Sequence, residues 1–194
     1  MRLILASGSP ARRAMLRQAG VACEAIPSAV DEAALKQGFT GPPEELALAL
    51  ARAKAASVAL VHGPALVIGA DQILRCGEEN FDKPRDLLDA SRQLYALRGR
   101  THRLITAVCV MRGAEMLWSD VAQARLTMRE FGSAFIEAYV RQEGEVICGC
   151  VGAYRLEGLG AQLFSGVDGD FFTILGLNLL PLLGFLRDAG ALAA

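Results

Sequence analysis

Ser7, Ser9, Arg12 and Arg13 crowd around Pro10, directly behind the apolar run Leu3-Ile-Leu5. These residue types in this order suit an anion. Residues 3–5 read as a short buried strand, Ser9 as a helix N-cap, and Pro10 fits the first helical turn, where its missing N–H costs nothing. The unpaired backbone N–H groups and the positive end of the helix dipole then face whatever lies above the strand end. Arg12 and Arg13 add permanent charge there. Guanidinium forks suit phosphate best among anions, so the segment predicts a phosphorylated ligand at the carboxyl end of a strand. Alone, the same turn reads equally well as a capped helix whose arginines lie on a solvated face.

The remaining chemistry depends on the elements that carry it. Residues 23–27 read as a short strand leading into Val30-Asp31-Glu32, so two adjacent carboxylates follow a strand end. Residues 43–61 form an alanine- and leucine-rich helix with Leu46, Leu50, Ala53, Ser57 and Leu60 on one face. Lys54 lies at the edge of that face, where a lysine either snorkels to water or reaches into a cleft beside the core. Residues 65–69 read as a buried strand ending in Ala70-Asp71-Gln72, which puts Asp71 beside whatever the first turn binds. Lys83, in Asp82-Lys-Pro-Arg-Asp86, precedes a helix over 87–97 that Gly99 stops, again at the end that favours phosphate. Two long strands over 101–111 and 116–128 flank a hairpin at 112–115. An amphipathic helix over 130–142 turns Phe131, Phe135, Ile136, Tyr139 and Val140 inward. A glycine-rich stretch at 149–160 and a final apolar helix complete the chain. This order predicts an α/β fold, a mixed twisted sheet with flanking helices and a cleft.

Composition limits the function classes. With 194 residues, 53% of them hydrophobic, the chain fits one sizeable domain or two small lobes. A formal net charge of -1 argues against a general nucleic-acid surface. Arg98, Arg100, His102 and Arg103 form a basic patch that an RNA or protein interaction module would use, but they lack interleaved aromatics. The five cysteines contain no CxxC pair and are odd in number, which suits a reducing compartment better than a disulfide framework. Cys148-Gly-Cys150 is the close pair, and His62 and His102 are too distant in sequence to complete a zinc site with it. The N-terminal apolar run is too short for a signal peptide. The apolar residues 171–186 are interrupted by Gly176, Asn178, Pro181 and Gly184, which predicts a buried helix or a loop plus helix rather than a span. A cytoplasmic protein with no membrane contact is expected.

Five motifs stand in order along nearly the whole chain: Leu5-Ala-Ser-Gly-Ser-Pro10 with Arg12 and Arg13, Ala51-Arg-Ala-Lys-Ala55, Gly69-Ala-Asp-Gln72, Asp82-Lys-Pro-Arg-Asp86, and Gly152-Ala-Tyr with Glu157-Gly158. Together they resemble the Maf family of nucleotide pyrophosphatases. The resemblance implies one domain over 1–194, with an elongated two-lobed fold similar to that of inosine triphosphatases and an active site in the central cleft. It also implies hydrolysis of nucleoside triphosphates to a monophosphate and pyrophosphate with a divalent metal cation, Mg2+ or Mn2+. Carried over residue by residue, it has Ser7, Ser9 and Arg12, with Arg13 beside them, holding phosphate at the first turn. Lys54 and Lys83 join Arg12 on the triphosphate, Asp71 is the proton acceptor, and Glu32 with Asp71, and Asp31 close by, is the metal site. The chemistry agrees, since phosphoanhydride hydrolysis needs neutralised phosphate oxygens, a positioned metal and an aligned water.

Some positions depart from the family pattern. Many members have an arginine where this chain has Ala11, a threonine where it has Gln72, and Lys-Ala-Gly-Ala-Tyr-x-Ile-Gln-Gly where it has Cys150-Val-Gly-Ala-Tyr-Arg-Leu-Glu157-Gly158. Gln72, Cys150 and Glu157 look like the branch acting on 7-methyl-GTP rather than the dTTP and UTP branch. A carboxylate at 157 suits the N1–H and amino group of guanine and a cationic methylated ring. That branch often carries tryptophan at position 11, where alanine cannot stack on a base. The substrate therefore leans to purine or modified purine triphosphates. A nucleotide-binding regulator of septum formation and cell division without significant turnover is the alternative. The apolar C-terminal segment is compatible with a homodimer and equally with core packing, and no stable nucleic-acid binding is expected.

Overall fold

Short buried strands and alanine-rich helices set the architecture of this computed structural model, which describes residues 1–193. In chain order the elements are Leu3–Leu5 (β1), Pro10–Gln18 (α1), Glu24–Ala25 (β2), Glu32–Gln37 (α2), Pro43–His62 (α3), Leu66–Cys76 (β3) and Glu79–Phe81 (β4). Then come Leu87–Leu97 (α4), Thr101–Arg112 (β5), Glu115–Met128 (β6), Ser133–Glu143 (α5), Phe164–Asp168 (β7), Phe171–Ile174 (α6) and Leu179–Asp188 (α7). The strands make a seven-stranded mixed sheet in the order β2-β1-β3-β5-β6-β7, with β4 paired to β3. This is the expected α/β class with flanking helices. The chain divides into two compact units: Met1–Gln72, Thr106–Ala122 and the stretch from Gly176 form one, and Ile73–Ile105 with Gln123–Leu175 the other. Among the described residues no helix is long and apolar enough to cross a membrane.

In the first unit, β1 is buried along its whole length and runs parallel to β2 and β3, with Ile4 opposite Glu24 and Val67. Strands covered on both faces are continuously apolar, as Leu3-Ile-Leu5 is. The strand expected over 23–27 shrinks to β2. Asp31 does not simply follow a strand end: it caps the unforeseen helix α2, its Oδ1 accepting the Ala34 N–H at 3.1 Å. The strand expected over 65–69 runs on to Cys76, so Asp71 lies inside β3 rather than past its end. No breaker stands between Gly69 and Gly77, and Ile73, Leu74 and Cys76 are buried, which keeps the strand going.

The helix expected over 43–61 forms, but its buried face differs from the predicted one. Leu46, Ala47, Leu50, Ala51, Lys54, Ala55, Val58 and Ala59 are buried, whereas Leu60 is 67% exposed. Contact with β3 explains the rotation. A Cβ on Gly69 would strike the Ala51 carbonyl oxygen and stand 2.8 Å from the Ala55 Cβ. Only alanines facing a glycine allow helix and strand to approach so closely. The small residues therefore mark the inner face, and they carry Lys54 with them.

The second unit has its own core, in which Leu74, Leu94, Leu97, Leu104, Leu126, Ile136, Tyr139 and Leu163 pack together. Asp86 caps α4 as its position before the helix suggests, accepting the Asp89 N–H at 2.7 Å. The helix expected over 130–142 starts later, at Ser133 behind Gly132. Strand β7 was not foreseen, because its residues are mostly exposed and carry no alternation; it pairs antiparallel with β6. The expected loop-plus-helix at 171–186 appears as α6, capped by Asp170, and α7, one in each unit.

The basic cluster at 98–103 is not a continuous patch, because His102 is 1% exposed. Its Nε2 bonds the Tyr154 hydroxyl at 2.7 Å, and its buried Nδ1 has no partner among the described residues. Burial pushes the imidazolium down to about 4. The unfolded chain, with an ordinary histidine, binds that proton more readily, so the contribution to stability is complete above about pH 6.5 and is lost as pH falls towards 4. Roughly 3 kcal/mol of stability should disappear over that window. Urea unfolding at pH 7 and pH 4.5 checks this: His102→Gln should show a smaller difference between the two pH values than the parent protein.

Candidate active site

The end of β1 delivers the predicted anion-binding turn. Ser7 is buried and Ser9 has extended backbone, with its Oγ accepting the Arg12 N–H at 3.4 Å to cap α1. The Ser7 Oγ in turn accepts the Ser9 N–H at 3.2 Å. Arg12 is half-buried and engaged: Nε donates to the Gly176 carbonyl at 2.7 Å, Nη1 to the Ala70 carbonyl at 2.8 Å and to Ser7 Oγ at 3.3 Å. It thus ties the turn to the backbone one residue before Asp71. Burial lowers the proton affinity of this guanidinium from its ordinary value, and the charges of Asp71 and Glu32 oppose that. Arg13 is exposed, and Ala11 is half-buried on the first turn of α1.

Two strand residues past the tight contact at Gly69, on the same face of β3, stands Asp71. One residue before Ala55 on α3 stands Lys54. The close approach of the two elements joins them: Lys54 Nζ lies 2.5 Å from Asp71 Oδ1, with the two side chains 10% and 7% exposed. The same ammonium lies 2.8 Å from Glu32 Oε1, whose carboxylate is 44% exposed at the start of α2. Lys54 therefore does not snorkel to water. The first unit gathers Ser7, Ser9, Arg12, Glu32, Lys54 and Asp71.

Gln72 alternates to the other side of β3, and its Nε2 donates to Thr106 Oγ1 at 2.9 Å. Asn178, 1% exposed, donates to the Thr106 carbonyl at 3.1 Å and to Asp120 Oδ2 at 2.8 Å. The sequence gives Asn178 only as an interruption of an apolar run, and its partners lie far away in the chain. Lys83 and Glu157 belong to the second unit, apart from this cluster in the division of the chain. Lys83 is exposed ahead of α4. Glu157 Oε1 accepts from Arg155 Nε at 3.3 Å, while Arg155 Nη1 reaches the buried Glu143 carboxylate at 3.5 Å. Burial and Glu157 push the Cys150 thiol up, opposed by the charges of Arg155 and Lys83. Neither Arg155 nor Glu143 was anticipated. Arg155 stands in the glycine-rich stretch and Glu143 at the end of α5, so no local pattern links them.

The donor set of the first unit fits a hard divalent ion. Glu32 and Asp71 both reach one cationic atom, and magnesium is commonly held by one or two carboxylates while waters and substrate phosphates complete its shell. Among the described residues no group of three His, Cys, Asp or Glu side chains could hold a metal, so a closed cage such as structural zinc requires is not formed there.

A parallel strand feeding a capped helix start, with a buried lysine shared between two carboxylates, defines an α/β protein built to handle a charged ligand. Comparison with known proteins makes this specific. The chain matches the family described as Maf-like protein over residues 2–189, and it belongs to that family. A nucleoside triphosphate pyrophosphatase of Paramagnetospirillum magneticum is 51% identical over 97% of this chain and 99% of its own length. A 7-methyl-GTP pyrophosphatase of Rhizobium meliloti is 47% identical over 99% of this chain and 98% of its own. A solved nucleoside-triphosphatase / dITP/XTP pyrophosphatase from Mycobacterium abscessus aligns with 100% of this chain and 96% of its own at 15% identity and a TM-score of 0.41, a likeness too low to argue from.

Proposed function

We propose that this chain hydrolyses nucleoside triphosphates between the α and β phosphates, releasing a monophosphate and pyrophosphate. The observation that carries this reading is the buried Lys54, paired at once with Asp71 and Glu32 in the unit that holds the capped start of α1. Family membership and the names of full-length relatives support it. The α1 N-terminus, with Ser7 and Ser9, takes phosphate oxygens, and Lys54 neutralises the charge that grows on the leaving pyrophosphate, a part that the family resemblance alone also gives to Lys83. Arg12 has Nε and Nη1 committed to carbonyls, so it mainly holds the turn in place and offers its remaining Nη2 to phosphate. Asp71 accepts the proton of the attacking water. Glu32 and Asp71 would hold Mg2+ or Mn2+, which would supply charge neutralisation at the phosphate oxygens.

For the base, the reading favours guanine or a methylated guanine. Glu157 keeps its carboxylate beside Arg155, and a carboxylate is the group that accepts from a ring N–H and an amino group together. Exchanging Glu157 for glutamine should lower kcat/KM for 7-methyl-GTP and GTP about tenfold, the scale of one hydrogen bond to a charged group, and leave UTP and dTTP within a few fold. A turnover screen over ordinary, methylated and deaminated triphosphates tests both levels. Equal rates on every base remove the purine preference; tight binding without product replaces the enzyme with a nucleotide-binding regulator.

A further inference from the structure

We infer that Lys54 competes with a divalent ion for Glu32 and Asp71, and that both carboxylates are released for the ion when a triphosphate draws the ammonium away. The inference rests on the reading above, in which these two carboxylates serve as metal ligands. Lys54 Nζ stands 2.8 Å from Glu32 Oε1 and 2.5 Å from Asp71 Oδ1, so one point charge already bridges the two oxygens that a metal would bridge. Without a cation there, two carboxylates held so near one another would repel. With the ammonium there, a second and larger positive charge is excluded from the same oxygens.

The burial of the group sharpens this competition. Lys54 and Asp71 are 10% and 7% exposed at the side chain, so solvent screens their attraction little. Lys54 is also anchored by its helix, since Ala51 and Ala55 on either side of it press against Gly69. Its four-carbon stem turns while the backbone stays, which is the ordinary freedom of a lysine. A polyphosphate at the α1 N-terminus offers that ammonium several negative oxygens in place of two carboxylates. Lys54 therefore couples the two binding events: the carboxylates become available at the moment phosphate is present to be neutralised.

Titration with Mn2+ alone, followed by electron paramagnetic resonance of the free ion and with no nucleotide present, tests this. Lys54→Met should bind one Mn2+ at least tenfold more tightly than the parent protein, and the gain should vanish in Lys54→Met/Asp71→Asn. Equal or weaker Mn2+ binding by Lys54→Met overturns the inference, as does a gain that survives Asp71→Asn. Should Lys54→Met not fold, Lys54→Gln removes the charge while keeping a donor between the carboxylates, and the same tenfold gain is expected of it. The readout needs no turnover, so a parent protein that never releases pyrophosphate would refute the proposed function while leaving this result standing.

Discussion

Asp71→Asn should lower kcat for nucleoside triphosphate hydrolysis by about 10^3-fold while moving KM by no more than a few fold, on the scale of a lost general base. The asymmetry follows from where the charges sit. On the proposed reading phosphate oxygens are met by the α1 N-terminus, Ser7, Ser9 and Lys54, none of which the exchange removes, and Glu32 remains for the metal at saturating Mg2+, so ground-state binding survives. In that reading the lost carboxylate is the group that takes a proton from water. It is also one of the two oxygens shared through Lys54. The side chain is nearly isosteric and Lys54 keeps Glu32 at 2.8 Å, so the fold should persist. Steady-state kinetics with thermal unfolding as a control decides it. An unfolded variant, or a KM raised in proportion with kcat unchanged, would place Asp71 in binding or architecture instead.

Gly69→Ala should damage both stability and rate, although residue 69 bears no functional group. Its added methyl would run into the Ala51 carbonyl oxygen and the Ala55 Cβ, and the 3.0 Å approach to the Ala55 backbone nitrogen leaves the helix no way to yield except by moving off the sheet. Overpacking against backbone costs about 3 kcal/mol, which in a chain of this size lowers Tm by roughly 10 °C. The shift also carries Lys54 away from Asp71, since both sit within two residues of the contact. A kcat at least tenfold lower is expected even at temperatures where the variant is folded. Circular dichroism melting together with kinetics at 20 °C below the midpoint separates the two effects; a stable variant of full activity would show that the close approach does not position the site.

That contact also explains what the sequence showed and what it hid. The strand, serine cap and proline that start α1 are local, and they formed as read. The helix over 43–61 is equally plain, yet leucine spacing points to a different inner face from the one set by the alanines that meet Gly69. Lys54 accordingly read as an edge residue when it lies in the buried face. Asp71 reads from the sequence as a strand-end residue; in β3 Gly69 is instead the seat of a helix, and the strand continues.

Long-range acceptors were invisible for a different reason. Arg12 has the composition of a phosphate fork, and only the fold reveals that Gly176 and Ala70 carbonyls engage two of its nitrogens. Asn178 behind Thr106, and Arg155 against Glu143, are likewise pairings between segments with no local pattern. The family resemblance named the charged residues that come together in the first unit, Arg12, Glu32, Lys54 and Asp71. Their partners came from the packing of α1, α3 and β3.

The most direct test is the identity of the products. Phosphorus-31 NMR of a reaction containing 7-methyl-GTP or GTP, Mg2+ and the protein should show equimolar nucleoside monophosphate and pyrophosphate, with no diphosphate at any time. Accumulation of nucleoside diphosphate with inorganic phosphate would put the attack at the γ phosphate and contradict the proposed reaction.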